Sequence, residues 1–361
     1  MPRPDAAGGP DPSIEIRLTA LRALHGANYW SVRPVTRMDL AIGPYDDIPS
    51  SAVPALTETL VAALPGLVEH RCSIGQRGGF VTRLRRGTYA PHIIEHVALE
   101  LQSMIGHDVG YGKTRGGDAA GEYTLIFEHR HSAVGLRAAA LALEVVQRAF
   151  AGTLTSVDHA IEELRSIAAT ADMPSMWQHV VCGISGGGPR RETRDELLAR
   201  GCRESDLIID VAPSFILQAG LPYSRSEIAI ILDSDLTDVP ERYREKDRAR
   251  RLVSVLADVV WRDGVVVLPA REWDLQDYAR DRGCRVAVFA VDGGVTARDE
   301  LVAHSIGFVE DGHIVLELGG SRIDGGALRT GPPPAAQVAA ALAASSLREL
   351  DPDLIAMHGS H

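Results

Sequence analysis

The second half of the chain contains short, continuous apolar runs separated by helical patterns, and this alternation restricts the fold more than any other feature. The runs are VVCGIS, DLIIDVA, EIAIILDS, GVVVLPA and RVAVFAV. A strand that is apolar at every position has to be covered on both faces, as in a parallel sheet between two helical layers. We therefore predict an α/β, doubly wound domain over residues 176–350, which ends with a hairpin turning at Asp311–Gly312 and a final helix.

The first half has a different pattern, in which helical segments are mixed with short isolated strands. This pattern predicts an α+β domain over residues 14–172, preceded by a disordered leader at residues 1–13 that is rich in proline, glycine and aspartate. Residues 67–72 (LVEHRC) and 80–84 (FVTRL) are predicted strands, and residues 91–105 (PHIIEHVALELQSMI) form the strongest predicted helix. Two domains are the expected number for a chain of 361 residues.

Composition and charge restrict the partners. Hydrophobic residues make up 45% of the chain. The net charge is −11, and this negative charge argues against nucleic acid and against an anionic membrane as partners. The four cysteines are scattered, without a C-x-x-C pair, and no signal peptide or membrane span is recognisable. We therefore expect reduced thiols and a cytoplasmic location.

The predicted helix at residues 91–105 carries the sequence H-x-x-E-H. His92 and His96 lie one turn apart on the same helical face, so both rings can bind one cation, Zn²⁺ or another divalent metal. Glu95 stands beside the second histidine, where it could act as general base toward a metal-bound water in an inverted-zincin arrangement. The alternative is a helix face that simply carries solvated polar residues.

A catalytic metal of this kind needs a third protein ligand, and the sequence leaves the choice open. Glu100 and Glu128 are the preferred candidates. The alternatives are His70, Glu122, His129 and His131. Lys113, Thr114 and Arg115 are predicted to contact substrate carboxylates, although a solvated loop would explain these three residues equally well.

Several ordered motifs in the first half resemble the N-terminal domain of cyanophycin synthetases. They are LHGANYWS (24–31), EHRCSIGQRGGFVTRLRRGTYAPHIIEHVALELQ (69–102), VGYGKTR (109–115) and GEYTLIFE (121–128). In that family the domain has been connected with a metal-dependent hydrolytic activity, which trims a polymer of aspartate carrying β-linked arginine. The resemblance implies that His92, Glu95 and His96 hold the equivalent positions.

The second half resembles a degenerate central domain of a Mur-type ligase, on the stretches DLIIDVAPSFILQAGLPYSRSEIAIILDSD, GVVVLPAREWDLQDYA and PPAAQVAAALAAS. The ATP-grasp domain of the synthetases and the C-terminal Mur domain have no counterpart. The glycine-rich stretch GISGGGPRRE (183–192) lacks the Lys-[ST] pair of a phosphate-binding loop, and Pro189 removes an amide donor. We therefore do not expect an active ATP-dependent ligase.

Together these features predict a metal-dependent hydrolase, a zinc metallopeptidase or amidase that acts on a peptide or isopeptide bond of a cyanophycin-like substrate. The first alternative is a non-catalytic binding or regulatory subunit that associates with a ligase partner. The second is a residual ligase that uses Arg190 or Arg191 in the glycine-rich stretch. The resemblance also implies a homo-oligomer.

Overall fold

Two units, each with its own sheet, make up the chain. The computed structural model describes residues 9–171, 179–202, 207–292 and 294–350. The first unit comprises Met1–His25 and Arg33–Ser175, and the second comprises Gly26–Val32 and Met176–His361. The predicted domain boundary at residues 172–176 lies outside the described residues, and a short segment from the first half packs with the second unit.

The sheet of the first unit is antiparallel. Its strands are β1 (Arg17–Leu24), β2 (Val35–Ala41), β3 (Gly112–Gly116) and β4 (Glu122–Glu128). They lie in the order β1-β2-β4-β3, so β3 is an edge strand of this sheet.

The described part of the first unit also contains six α-helices. They are α1 (Pro12–Glu15), α2 (Leu56–Ala63), α3 (Gly79–Arg86), α4 (Ala90–Ser103), α5 (Ser132–Phe150) and α6 (Asp158–Thr170). Pro91 stands in the first turn of α4, where the absence of an N–H group costs nothing. The apolar stripe of α4 joins α5 and the sheet in one hydrophobic core. Of the predicted disordered leader, Asp11 caps α1 and residues 12 and 13 are helical.

The two strands predicted at residues 67–72 and 80–84 are wrong. The chain instead forms 3₁₀ turns at Pro65–Glu69 and Cys72–Ile74, and then α3. Phe80 and Leu84 are buried one helical turn apart, which is a helical rather than an alternating pattern. Gly75 and Gly78, with φ of 79° and 77°, make the reversals between these turns.

The second unit contains a larger, mostly parallel sheet. Its strands are β5 (Val180–Ser185), β6 (Ile208–Asp210), β7 (Ser226–Ile231), β8 (Val260–Pro269), β9 (Arg285–Phe289), β10 (Ser305–Glu310), β11 (His313–Leu318) and β12 (Ser321–Ala327). Their order is β12-β11-β10-β9-β8-β7-β5-β6. Pairs from β10 to β6 are parallel, whereas β11 and β12 are antiparallel additions.

Helices cover both faces of this sheet. They are α7 (Arg190–Ala199), α8 (Pro213–Ala219), α9 (Lys246–Ser254), α10 (Trp273–Asp281), α11 (Ala297–Val302) and α12 (Pro334–Leu350). Along β7, Ile228 and Ile230 pack into one buried cluster with α12, while Ala229 and Ile231 pack into the opposite cluster with α9. The predicted fold class, α+β followed by doubly wound α/β, is confirmed. None of the helices in the described ranges is both long and apolar enough to cross a bilayer.

Candidate functional site

The first unit contains a cleft of about 1130 Å³ beside α4. One wall is α4 itself, and a second is formed by the turns that run from Gly66 to Ser73. A third wall is the segment from Val109 to Thr114, which includes the beginning of β3. The predicted helix therefore borders an open cavity.

Cys72, His92 and His96 come together in this cleft. One donor atom from each residue lies within 4.8 Å of the other two, and among the described residues this is the group of three or more that could hold a metal ion. The Cys72 Sγ lies 3.3 Å from the His92 Nε2. Cys72 has a φ of 52°, an unusual value for a residue with a side chain. The sequence predicted the two histidines as ligands, whereas Cys72 was not among the predicted ligands.

A chain of hydrogen bonds orients the His96 ring. The His70 Nε2 lies 3.1 Å from the Glu100 Oε2, and the His70 Nδ1 lies 2.8 Å from the His96 Nδ1. Because a carboxylate only accepts, a neutral His70 donates from Nε2 and accepts at Nδ1. His96 then donates from Nδ1, which leaves the lone pair of Nε2 for a ligand.

The His92 ring is oriented in a similar way. Its Nδ1 lies 2.8 Å from the Thr88 Oγ1, one turn earlier along the chain. Thr88 is held in turn by Ser50, whose Oγ accepts the Thr88 N–H at 2.9 Å and donates to the Leu84 carbonyl at 2.7 Å. His92 therefore also presents Nε2 toward the cysteine.

Burial keeps both rings neutral. Loss of solvent is the largest cause that lowers the pKa of His92 to about 4, with a further contribution from the positive charge of Arg83. Burial also lowers the pKa of His96 to about 2, and the neighbouring His92 and His70 act in the same direction. Phe80 stacks on the His96 ring with centroids 3.9 Å apart. Neutral imidazole is the form that binds a metal, so the cluster is prepared for a cation.

Glu95 is buried at the wall of the cleft. Its Oε2 accepts a hydrogen bond of 2.5 Å from the Thr114 hydroxyl on β3. Burial raises the pKa of Glu95 to about 7, and the Thr114 hydrogen bond partly opposes this shift. Gly112 makes room for the carboxylate, since a Cβ at this position would lie 2.5 Å from the Glu95 Oε1.

The structure places the two carboxylates predicted as third ligands elsewhere. Glu100 contacts His70 rather than the Cys72–His92–His96 group. Glu128 accepts the N–H groups of Gly110 and Tyr111, both at 3.2 Å. The Cys72 thiol, by contrast, lies beside the two imidazoles.

The predicted substrate contacts divide into two groups. Lys113 and Thr114 line the cleft, whereas Arg115 is exposed on β3 and is not among the lining residues. The histidines proposed as alternative ligands also separate. His70 lies in the cleft, while His129 contacts Thr36 and Ser132 away from it.

The glycine-rich stretch of the second unit does not fit a nucleotide phosphate. The Gly187 N–H donates to the Asp233 Oδ1 at 2.7 Å, and the Asp235 N–H donates to the same oxygen at 3.1 Å. The Arg190 guanidinium turns back onto the Gly186 carbonyl. A carboxylate of the chain thus binds an amide that a phosphate-binding loop would offer to its ligand.

Comparison with known proteins shows what most of the first unit is similar to. Residues 37–151 match the family model described as "Cyanophycin synthase-like N-terminal domain". The cyanophycin synthetase of Synechocystis sp. is 39% identical over 166 residues, which is 44% of this chain and 19% of that protein. The cyanophycin synthetase of Geminocystis herdmanii is 36% identical over 154 residues, 42% of this chain and 18% of that protein. The chain thus spans about a fifth of the length of these relatives.

Solved structures give a more distant similarity. A pseudomurein peptide ligase type C from Methanothermus fervidus matches with a TM-score of 0.34 and 10% identity, over 55% of this chain and 53% of that one. The MurF ligase from Thermotoga maritima in complex with ADP matches with a TM-score of 0.32 and 13% identity, over 57% and 53% of the two chains.

The predicted function needs correction. The relatives are named synthetases, enzymes that join rather than hydrolyse, and none of the names reported above is that of a zinc metallopeptidase. The prediction of a metal-dependent hydrolase is therefore wrong, and so is the zinc metallopeptidase or amidase class. All residues that line the cleft lie within the matched range 37–151. Residues 37–151 are therefore similar to the cyanophycin synthase-like N-terminal domain, and the comparisons show a family resemblance for this part of the chain alone.

Proposed function

We propose that the cleft of the first unit binds the peptide-like substrate of a cyanophycin-type synthetase reaction. The observation that carries this proposal is a cavity of about 1130 Å³ whose lining lies wholly in the segment shared with cyanophycin synthetases. A pocket of that size accommodates several residues of a peptide. The substrate class is a polymer of aspartate that carries β-linked arginine.

The charges in the cleft suit such a polymer. Glu95 lies on α4 and offers its carboxylate to a guanidinium group. Arg71, Arg83 and Lys113 also line the cleft and offer positive charge to free carboxylates. Carboxylates pair with guanidinium groups through two parallel hydrogen bonds, which gives orientation as well as attraction. A substrate with both charges therefore finds complementary groups in one cavity.

A divalent cation suits the Cys72–His92–His96 cluster. One thiolate and two imidazoles are ligands that borderline cations prefer, and three protein ligands leave a position open. The cation would act as a Lewis acid that binds a carboxylate or carbonyl oxygen of the peptide. His70 and Glu100 would hold the His96 ring in the ligating orientation.

Calorimetric titration of the full chain tests the proposal. The titrant is a synthetic peptide with an aspartate backbone and arginines amide-linked to its side chains. We expect a saturable heat for the wild type and affinity about tenfold weaker for the double variant Arg71→Gln, Lys113→Gln, because two favourable charge contacts are lost.

The matched control is Arg85→Gln, Arg86→Gln, which removes two exposed charges from α3 outside the cleft. It should change affinity less than about twofold. Absence of peptide binding by the wild type, or an equal loss in both double variants, would contradict the proposal. Elemental analysis of wild-type and Cys72→Ser protein separately tests the cation, whose content should fall in the variant.

A further inference from the structure

The edge strand β3 runs along the cleft, and its main chain forms part of the cavity wall. The proposed function assigns roles to side chains in the cleft but none to this main chain. Sheet order leaves β4 on one side of β3 and no strand of the described residues on the other. The cavity is lined by Gly112, Lys113 and Thr114 from this strand. An edge strand presents a row of N–H and C=O groups that an extended peptide can pair with.

The register determines which groups face the open side. The Glu128 N–H donates to the Tyr111 carbonyl at 2.9 Å, and the Gly117 N–H donates to the Glu122 carbonyl at 2.6 Å. Hydrogen-bonded pairs alternate along an antiparallel ladder. Lys113 and Arg115, which stand opposite Ile126 and Thr124, therefore direct their main-chain groups toward β4.

The residues between them direct their main-chain groups the other way. By the same alternation, the N–H and C=O groups of Gly112, Thr114 and Gly116 point to the open edge. Gly112 adds no side chain that would hinder a neighbouring strand, and the Thr114 side chain is turned toward Glu95. The open edge is thus sterically clear where the cleft lies.

The two faces of β3 carry opposite charges. Glu95 packs against the face formed by Gly112 and Thr114. Lys113 and Arg115 project from the opposite face because successive side chains alternate. A strand added beside β3 would alternate its own side chains in the same way. Every side chain of the polymer carries both a guanidinium and a carboxylate, so on one face a guanidinium can meet Glu95 and on the other a carboxylate can meet Lys113 and Arg115.

We propose that the peptide substrate binds as an added β-strand, whose main chain pairs with Gly112, Thr114 and Gly116 on the open edge of β3. This inference rests on the proposed function, and it specifies how the same cleft holds its substrate. Lys113 and Arg115 have a second consequence, because exposed positive charge on an edge strand disfavours pairing between copies of the chain.

A pair of variants at Thr114 isolates the main-chain contact. Thr114→Val removes the hydroxyl that binds Glu95, while Thr114→Pro removes both the hydroxyl and the N–H on the open edge. Neither variant removes a hydrogen bond to β4, because proline is tolerated where the N–H faces away from the sheet. We expect peptide affinity to be about fivefold weaker for Thr114→Pro than for Thr114→Val.

Hydrogen exchange on the wild-type protein gives a second measurement that does not depend on a variant. Saturating peptide should slow exchange of the Gly112, Thr114 and Gly116 amides by about tenfold or more. The Lys113 and Arg115 amides, already paired with β4, should change little. This alternation along five consecutive residues is the signature of an added strand.

The outcomes separate this inference from the proposed function. Peptide that binds without slower exchange at Gly112, Thr114 and Gly116 overturns the added strand and leaves the proposed function intact. Equal affinities for Thr114→Pro and Thr114→Val also overturn it. If the aspartyl-arginine peptide does not bind at all, both the proposed function and the added strand fail.

Discussion

His129 makes the first unit sensitive to acid, and replacing it should remove part of that sensitivity. The ring is 4% exposed, and its Nδ1 lies 3.0 Å from the Thr36 Oγ1. Burial is the main reason that its pKa falls from an ordinary value of 6.5 to about 4, with His25 and His131 adding positive charge nearby. Because the folded protein binds this proton less readily than the unfolded chain, stability is lost as the pH falls from 6.5 to about 4.

The magnitude follows from the shift. One pKa unit corresponds to about 1.4 kcal/mol. The shift from 6.5 to about 4 therefore lowers the free energy of unfolding by about 3 kcal/mol as the pH falls through this range. Below pH 4 both states are protonated and no further loss arises from this residue. His129→Asn keeps a polar atom near the position of Nδ1 but cannot titrate. We expect the variant to be less stable than the wild type at pH 7, because the smaller side chain leaves a cavity. Between pH 6.5 and 4, the free energy of unfolding of the variant should fall by about 3 kcal/mol less than that of the wild type.

The measurement has to report on the first unit alone, because a chain of two units need not unfold in one step. Urea denaturation satisfies this requirement when unfolding is monitored through hydrogen exchange of peptides from α5. His159→Asn, the same substitution at an exposed position on α6, is the control and should keep the pH dependence of the wild type. If His129→Asn also keeps that dependence, burial of the ring does not act as argued.

Two further substitutions test packing that the structure makes explicit. Gly66→Ala would bring a Cβ within 2.0 Å of the Glu100 Oε1, so Glu100 must move away from His70. Cation affinity should then fall about tenfold. The control is Gly110→Ala, whose Cβ meets nothing within 4 Å and should leave that affinity unchanged. Asp299→Ala removes the carboxylate that accepts hydrogen bonds from Thr296, Gln276 and Arg271. It should destabilise the second unit by about 3 kcal/mol, measured by urea denaturation with hydrogen exchange of peptides from β9 as the readout. A loss below about 1 kcal/mol, the size expected for an exposed ion pair, would contradict that account.

Patterns with a short period were the most informative part of the sequence. The apolar runs of the second half predicted a parallel sheet because full burial on both faces leaves no polar position. The same runs could not predict that β7 lies between β5 and β8, since strand order depends on how the crossovers pack. In the first half, the prediction of a strand at LVEHRC was wrong because Pro65 and Gly75 produce tight turns around this segment.

The sequence by itself placed His92 and His96 on one face of a helix, because their spacing and the helical repeat are both local properties. It also indicated the fold class and the similarity of the first half to the N-terminal domain of cyanophycin synthetases. Only the tertiary structure decided that Cys72 joins the two imidazoles, that Glu100 acts on His70, and that β3 forms a wall of the cleft. These contacts join segments that are distant in the chain, and their geometry depends on how turns and strands pack. Local sequence periodicity does not predict that packing.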